Sequence, residues 1–491
     1  MFRTHISGIT AADDEKQQVN NPPCHIEATA ITFAETPGPD TSALEQQPED
    51  VPDGGSRAWT VVLGSTLALF ASTGMVNAYG AFQDYYQSTL LPSSSAASIS
   101  FIGSLQLFLL FAASPITGRI FDAYGTTVLI SLGSLLCVLS MMMVSLVQKD
   151  RAYQLFLSHG VLFGLGMALM YASSRAVSCS LGLYSQSRHP ASFNPSIAVL
   201  GHWFRRRRAT AIGVALGGTS IGGVIFPILF QRLVPVIGFA WAVRTIAFVM
   251  MVCFVVACLT IKTRLPLSGH ISWRTAVDLH GFKDVRYVLA AISGFLLFYA
   301  VYTPIFYIEI YASFRGVTPE LASYLLPILN AGNVLSRIVP GLVSDRFGAL
   351  RCFVPAAAVC TILTFALWLP SRNAGTIIAF STLYGLFSGA LLSLLSTYVA
   401  SITPREVCGA RLGTVYVFVA LATLAGTPTA GALLDAVDEA HFQRLIVFTG
   451  IVLALGTVVL VGAAVAGSES LRDRFGFAAL PVARSSERGT R

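Results

Sequence analysis

Apolar runs of about 20 residues, the length a helix needs to cross a bilayer core, recur along most of this chain and leave it little else to fold into. They read as spans near 58–82, 97–118, 126–147, 154–172, 209–231, 240–261, 287–311, 321–344, 352–370, 374–400, 410–434 and 443–466. In lipid every backbone N–H and C=O must find its partner inside the protein, so such runs are helices. The sequence therefore predicts an all-α membrane protein with twelve transmembrane helices. Composition agrees: of 491 residues, 54% are hydrophobic and 12% are charged, and mean hydropathy is +0.67. A soluble domain carries about 25% charged residues, so a soluble enzyme is excluded.

The formal charge of +7 invites a nucleic-acid reading until it is divided along the chain. Residues 1–57 hold three basic and ten acidic residues, a net −7, and the remainder carries +14 in short clusters between spans. Connections on the side of the N-terminal tail hold 14 Lys and Arg, against seven on the opposite side. That bias predicts a multi-pass protein with both termini in the cytoplasm. Arg205, Arg206, Arg207 and Arg208 lack the extended basic surface and exposed aromatics of a nucleic-acid site, and suit an anchor at anionic cytoplasmic lipid. The expected organisation is a disordered tail over 1–57, six helices over 58–261, a central cytoplasmic loop over 262–286, six helices over 287–466, and a C-terminal tail over 467–491.

Catalytic and metal chemistry find no motif. The eight cysteines include no C-x-x-C pair, and the eight histidines form no H-E-x-x-H. No G-x-x-x-x-G-K-[ST] loop for nucleotide-driven transport is present, so no cofactor, metal or catalytic residue is expected. The N-terminus has no basic segment followed by an apolar core and does not read as a cleaved signal peptide.

The chain also repeats itself. Gly118-Arg-Ile-Phe-Asp122-Ala-Tyr-Gly125 follows the second span and Gly341-Leu-Val-Ser-Asp345-Arg346-Phe-Gly348 follows the eighth, both G-x-x-x-D-x-x-G, 223 residues apart. Gly164 and Gly385 form a third matched pair, 221 residues apart. Two six-helix halves related by a parallel repeat are the reading. Paired motifs, twelve spans and a central loop resemble the major facilitator superfamily. Pro52–Trp59, Gly201–Gly213 and Asn330–Arg337 resemble its monocarboxylate-porter branch, especially the fungal members. The resemblance implies alternating-access secondary transport of a small organic acid or acidic metabolite across the plasma membrane. The alternative it leaves open is efflux of a secondary metabolite; a transporter-like sensor is more remote. It implies a small-molecule partner and the bilayer, no obligate protein partner, and leaves H+ as an undecided second ion.

One stretch breaks the repeat. After the fourth span the offset falls to 200, as between Gly213 and Gly413, and residues 172–193 place Arg175, Arg188, His189 and Pro190 where membrane helix should continue. Removing those 22 residues joins Tyr171 to Asn194-Pro-Ser and restores an uninterrupted span. The expectation is an insertion of gene-model origin, such as a translated short intron.

Arg337 is the leading site candidate, a guanidinium midway along an apolar span, where charge is costly unless it faces a cavity or a partner. Its planar fork suits a carboxylate, and in the resemblance it aligns with the arginine that holds the substrate's carboxylate. A structural Arg, bonded to backbone or to the opposite half, is the competing reading. Asn333 stands where mammalian members carry an aspartate, and no charged residue lies between Trp59 and Gln83 where they carry a lysine. Asn77 and Tyr302 are further candidates for lining the path, Tyr302 because Phe298, Tyr302 and Phe306 share one helical face. Glycines at Gly118, Gly125, Gly341 and Gly348 permit tight turns, and the resemblance gives Asp122, Asp345 and Arg346 the role of a state-dependent gate. Gly213, Gly217, Gly218, Gly222 and Gly223 in the fifth span, and Gly426–Gly431 in the eleventh, predict close helix packing.

Overall fold

The computed structural model describes residues 55–171, 208–261, 278–404, 407–434 and 437–467. The tail, the 172–193 insertion, Arg205–Arg207, most of the central loop and the C-terminal tail lie outside the described residues. Every element among the described residues is helical. Ten helices are long and apolar enough to cross a membrane. One of them, Gly213–Thr260, has 48 residues. At about 1.5 Å per residue it is twice the length a bilayer core requires, and Gly238, at φ 77° and ψ 164°, divides it into two passes. Pro319–Phe347 has the length of a pass but is the least apolar of the long helices, because Asn330, Asn333, Ser336 and Arg337 lie within it. Twelve passes result among the described residues: Ser56–Leu90, Ala96–Thr117, Thr127–Val144, Ala152–Met170, the two arms of Gly213–Thr260, Val285–Phe314, Pro319–Phe347, Ala349–Trp368, Ala374–Ser401, Cys408–Leu433 and Glu439–Gly467.

Their ends collect at two poles. At the pole distal to the start of the first pass, the Asp150 amide donates to Leu90 O at 3.0 Å and the Ser93 hydroxyl to Asp150 Oδ1 at 2.9 Å. Arg244 donates to Ser145 Oγ at 3.1 Å, and Glu439 lies 3.4 Å from Arg315 and 3.9 Å from Arg372. At the proximal pole Arg411 pairs with Asp278 at 3.0 Å, and the Tyr287 hydroxyl donates to Arg411 O at 2.8 Å. This alternation is what an even number of passes predicts.

Small residues bring the passes together in matching ways in the two halves. Gly218 leaves no room for a Cβ against Thr66 of the first pass, and Gly426 none against Tyr299 of the seventh. Gly164 lies against Leu109 and Gln106 of the second pass, and Gly385 against the Leu329 backbone of the eighth. The fifth-on-first and eleventh-on-seventh contacts are equivalent under the repeat, as are the fourth-on-second and tenth-on-eighth. Apolar lipid gives helices little hydrophobic reason to associate, so this close packing supplies much of the attraction.

The two G-x-x-x-D-x-x-G copies differ. After the eighth pass the helix ends at Phe347, and Gly348 at φ 88° starts the turn into Ala349–Leu363, as expected. The first copy, Gly118–Gly125, lies inside the helical stretch Ser114–Val144, and the chain reverses between the second and third passes, because Leu90 and Asp150 at their outer ends are bonded to one another. Pro115 occupies the first turn of that stretch, where proline is tolerated, and the segment after it contains no further proline.

A substitution pair in the fifth pass tests the packing argument. A Cβ on Gly222 would sit 2.8 Å from Gly74 Cα, whereas one on Gly217 meets nothing within 4 Å. Gly222→Ala should destabilise the protein by about 1–3 kcal/mol, and Gly217→Ala should be neutral or slightly stabilising. Thermal unfolding of the two purified variants in detergent checks the contrast.

Candidate functional site

The seam between the two halves is held by a side chain that reaches across it. Asn330, fully buried on the eighth pass, donates from Nδ2 to Asn77 O at 3.2 Å and Gly223 O at 3.1 Å in the first half, and to Leu326 O at 3.1 Å in its own helix. Gly223 makes the contact possible, since a Cβ there would lie 2.6 Å from Asn330 Cγ. Asn77 is half-buried in the same layer, and its Nδ2 donates to Thr219 O of the fifth pass at 3.4 Å. The first, fifth and eighth passes thus meet through polar groups bonded to backbone, which lipid cannot displace.

Arg337 follows Asn330 by seven residues, just under two helical turns, so the two share the face that looks toward the first half. It is half-buried, and its guanidinium acts electrostatically on the Tyr302 phenol of the seventh pass. Tyr302 is half-buried between Phe298, at 6.4 Å, and Phe306, at 6.3 Å, themselves buried. The stripe abuts the first half: Phe306 lies 5.0 Å from the Tyr79 ring and Phe298 lies 6.3 Å from Phe111. Arg337 and Tyr302 therefore lie within electrostatic range of one another near the seam. Asn333 is not with them. It is 3% exposed, its Oδ1 accepts from Ser388 Oγ at 3.5 Å, and it fills the space over Gly389, all within the second half.

Toward the distal pole the seam closes through residues that the sequence reading passed over. Gln231 Nε2 of the fifth pass donates to Glu309 of the seventh at 3.3 and 3.5 Å, and the adjacent Arg232 donates to the Tyr324 hydroxyl of the eighth at 2.6 Å. Ser100 donates to Thr427 O at 3.2 Å, and the Ser104 and Thr427 hydroxyls bond to one another. The Tyr307 hydroxyl donates to the same carbonyl at 3.3 Å. Within the first half the buried His159 ring bonds to the Tyr86 hydroxyl at 3.0 Å. Glu309 and His159 each carry a signal readable from sequence, an ionisable group inside an apolar span.

Of the gate candidates, Arg346 and Gly348 are exposed, and Gly341 and Asp345 belong to the helix Pro319–Phe347. Gly118, Asp122 and Gly125 belong to Ser114–Val144. The side chains of Asp122, Asp345 and Arg208 lie outside the described residues. Among the described residues no group of three His, Cys, Asp or Glu could hold a metal ion. What the seam offers is a surface between the two halves, apolar and aromatic, with the Arg337 guanidinium midway and the Glu309 carboxyl near its distal end.

A family model described as the Major Facilitator Superfamily matches residues 189–373 and 290–485. MFS transporter asaE of Aspergillus flavus is 35% identical over 435 residues, covering 88% of this chain and 91% of its own. Aspyridones efflux protein apdF of Emericella nidulans is 36% identical over 418 residues, covering 84% and 79%. The solved structure of a nucleoside transporter, NupG, superposes with a TM-score of 0.63 at 14% identity, covering 83% of this chain and all of that one, a likeness of fold.

Removing the cross-seam amide should be costly. Asn330→Ala strips the Asn77 and Gly223 carbonyls of a buried donor, a loss of about 1–3 kcal/mol. A lowered Tm for Asn330→Ala, with Asn330→Gln failing to restore it because the longer side chain does not fit over Gly223, is the expected calorimetric result.

Proposed function

The chain belongs to the major facilitator superfamily and is a multi-pass membrane transporter rather than an enzyme, and from that premise we propose that it exports an acidic metabolite from the cell. The observation that carries this reading is the Arg337 guanidinium midway along the eighth pass, seven residues from the cross-seam Asn330 and within electrostatic range of Tyr302. A guanidinium there can take a carboxylate bidentately, and the phenol can donate to the same group. The aromatic stripe through Phe298 and Phe306 supplies a wall for the apolar remainder of the cargo. Two matched halves meeting across a polar seam suit alternating access, in which the halves rock about a site at mid-depth.

Export rather than import is supported by relatives named as efflux proteins, apdF among them. The motifs at Pro52–Trp59, Gly201–Gly213 and Asn330–Arg337 support a place in the monocarboxylate-porter-like branch. The two-to-one excess of Lys and Arg on the tail side supports cytoplasmic termini, and the plasma membrane is the proposed location. Gly341, Asp345, Arg346 and Gly348 form the proposed cytoplasmic gate of the second half, with Gly118, Asp122 and Gly125 as its counterpart. A second reading, export of a neutral flat metabolite, draws on the same aromatic stripe without the guanidinium.

Comparing metabolites inside and outside a strain lacking the gene identifies the cargo. Arg337→Lys keeps the charge and loses the fork, so export of an acid should fall at least about tenfold, the worth of one charge-assisted hydrogen bond, while membrane abundance is retained. Normal acid export by a well-expressed Arg337→Ala protein would remove the carboxylate site and leave the neutral cargo standing.

A further inference from the structure

Glu309 is the one acidic residue within the seventh pass, and it is 3% exposed. It lies at the seam rather than in the core of either half, since its hydrogen-bond donor, Gln231, comes from the first half. A second carboxyl from the first half, Asp84, is near enough to act on it electrostatically. The neighbouring Arg232–Tyr324 bond closes the same edge, and the Ile305 backbone one turn away comes within 2.6 Å of where a Cβ on Gly80 would be. The halves are therefore in contact at this level, and Glu309 is sealed only while they remain so.

No described ion pair joins the nearby cations to Glu309. Arg232 is bonded to the Tyr324 hydroxyl, and Arg315, just past the end of the seventh pass, to Tyr311 and Glu439. Other ionisable groups on the elements packed around the seventh pass are Tyr79, Tyr85 and Tyr86 of the first, Glu320 and Arg337 of the eighth, Tyr384, which bonds Val301 O, and Tyr398 of the tenth, and the Asp438–His441 pair and Arg444 where the twelfth begins. The eleventh contributes Tyr416 and Arg411, both toward the proximal pole. No described ion pair involves Glu309, and an ionised carboxylate sealed without a cation is costly. Ionisable groups placed so within membrane helices are characteristic of ion and proton pathways.

We propose that Glu309 is a proton-operated latch of the distal gate: it takes up a proton from the distal side as the halves close there and gives it up when they part. The proton binds the carboxylate to give the neutral acid, with no other bond made or broken. Gln231 accommodates both forms, because its amide can donate to the carboxylate and accept from the acid. Closure of the distal side is thereby tied to proton availability on that side. This goes beyond the cargo site and rests on none of its residues.

The test needs no cargo. Nitroxides are attached through a ketone-bearing amino acid introduced at the exposed positions Thr89 and Thr318, which flank the distal edge of the two halves. Distances are then measured by pulsed electron resonance in lipid nanodiscs at mildly acidic and mildly alkaline pH. The full chain should shift toward the long distance as pH rises. Glu309→Gln, which is neutral and retains an amide partner for Gln231, should hold the short distance at both. Asp84→Asn should move the midpoint of the transition to lower pH, because a neighbouring negative charge is removed, and it decides the matter if Glu309→Gln does not fold. A distribution insensitive to pH in the full chain, a pH response surviving in Glu309→Gln, or an unmoved midpoint in Asp84→Asn would overturn the latch. Any of these leaves the Arg337 reading untouched.

Discussion

Everything in this molecule follows from the requirement that backbone polar groups be satisfied within the apolar phase. It makes each pass a helix and uses up the main chain inside that helix. Association between passes then falls to close packing and to the few side chains that can bond across. The glycine contacts of the fifth pass on the first and of the eleventh on the seventh are the packing part, and they recur because the halves are repeats. The polar part includes Asn330, Gln231, Ser100 and Thr427, each of which bonds across the two halves. The seam is thus held by hydrogen bonds at several levels, which lets the halves meet in one register.

That division explains what the sequence could and could not reveal. Spans were legible because a run of apolar residues is nearly sufficient for a membrane helix, and the repeat was legible because matched glycines pack matched pairs of helices. The eighth pass shows the limit. Its polar residues lower its apolarity below that of its neighbours, yet they are the reason it lies at the seam. Arg337 was legible as a charge out of place. Glu309 carried the same signal in the seventh pass and was overlooked beside the aromatic stripe. The bond from Asn330 to the Gly223 carbonyl was not legible at all, since it joins positions 107 residues apart and depends on how two helices cross. The turn of the second G-x-x-x-D-x-x-G copy was legible because Gly348, at positive φ and followed by a new helix, takes it.

Asn333 and Arg337 lie one turn apart and illustrate how position on a helix sorts similar residues into different work. Asn333 is turned about 60° from the Asn330 face, which is enough to put its carboxamide against Ser388 and Gly389 of its own half. Arg337 is turned only about 20° from that face and stays at the seam. An aspartate at position 333 would therefore sit one turn from the guanidinium but among its own half's packing. The chain keeps the arginine, and position 333 supplies no carboxylate one turn from it.

The seam then has two charged levels. Tyr302, beside Arg337, and Glu309 are seven residues apart on the seventh pass, about 10 Å along the helix axis. On the proposed reading, a carboxylate cargo held at the inner level leaves past the outer one. If Glu309 is ionised when the distal side is open, its charge opposes return of the cargo anion; once protonated, it no longer opposes closure. Charges of like sign at that spacing interact appreciably only where water is excluded, so the effect is strongest as the seam narrows. The same geometry that seals Glu309 would thus make the exit step favour release over rebinding, and it does so with residues that belong to neither the cargo site nor the packing of either half.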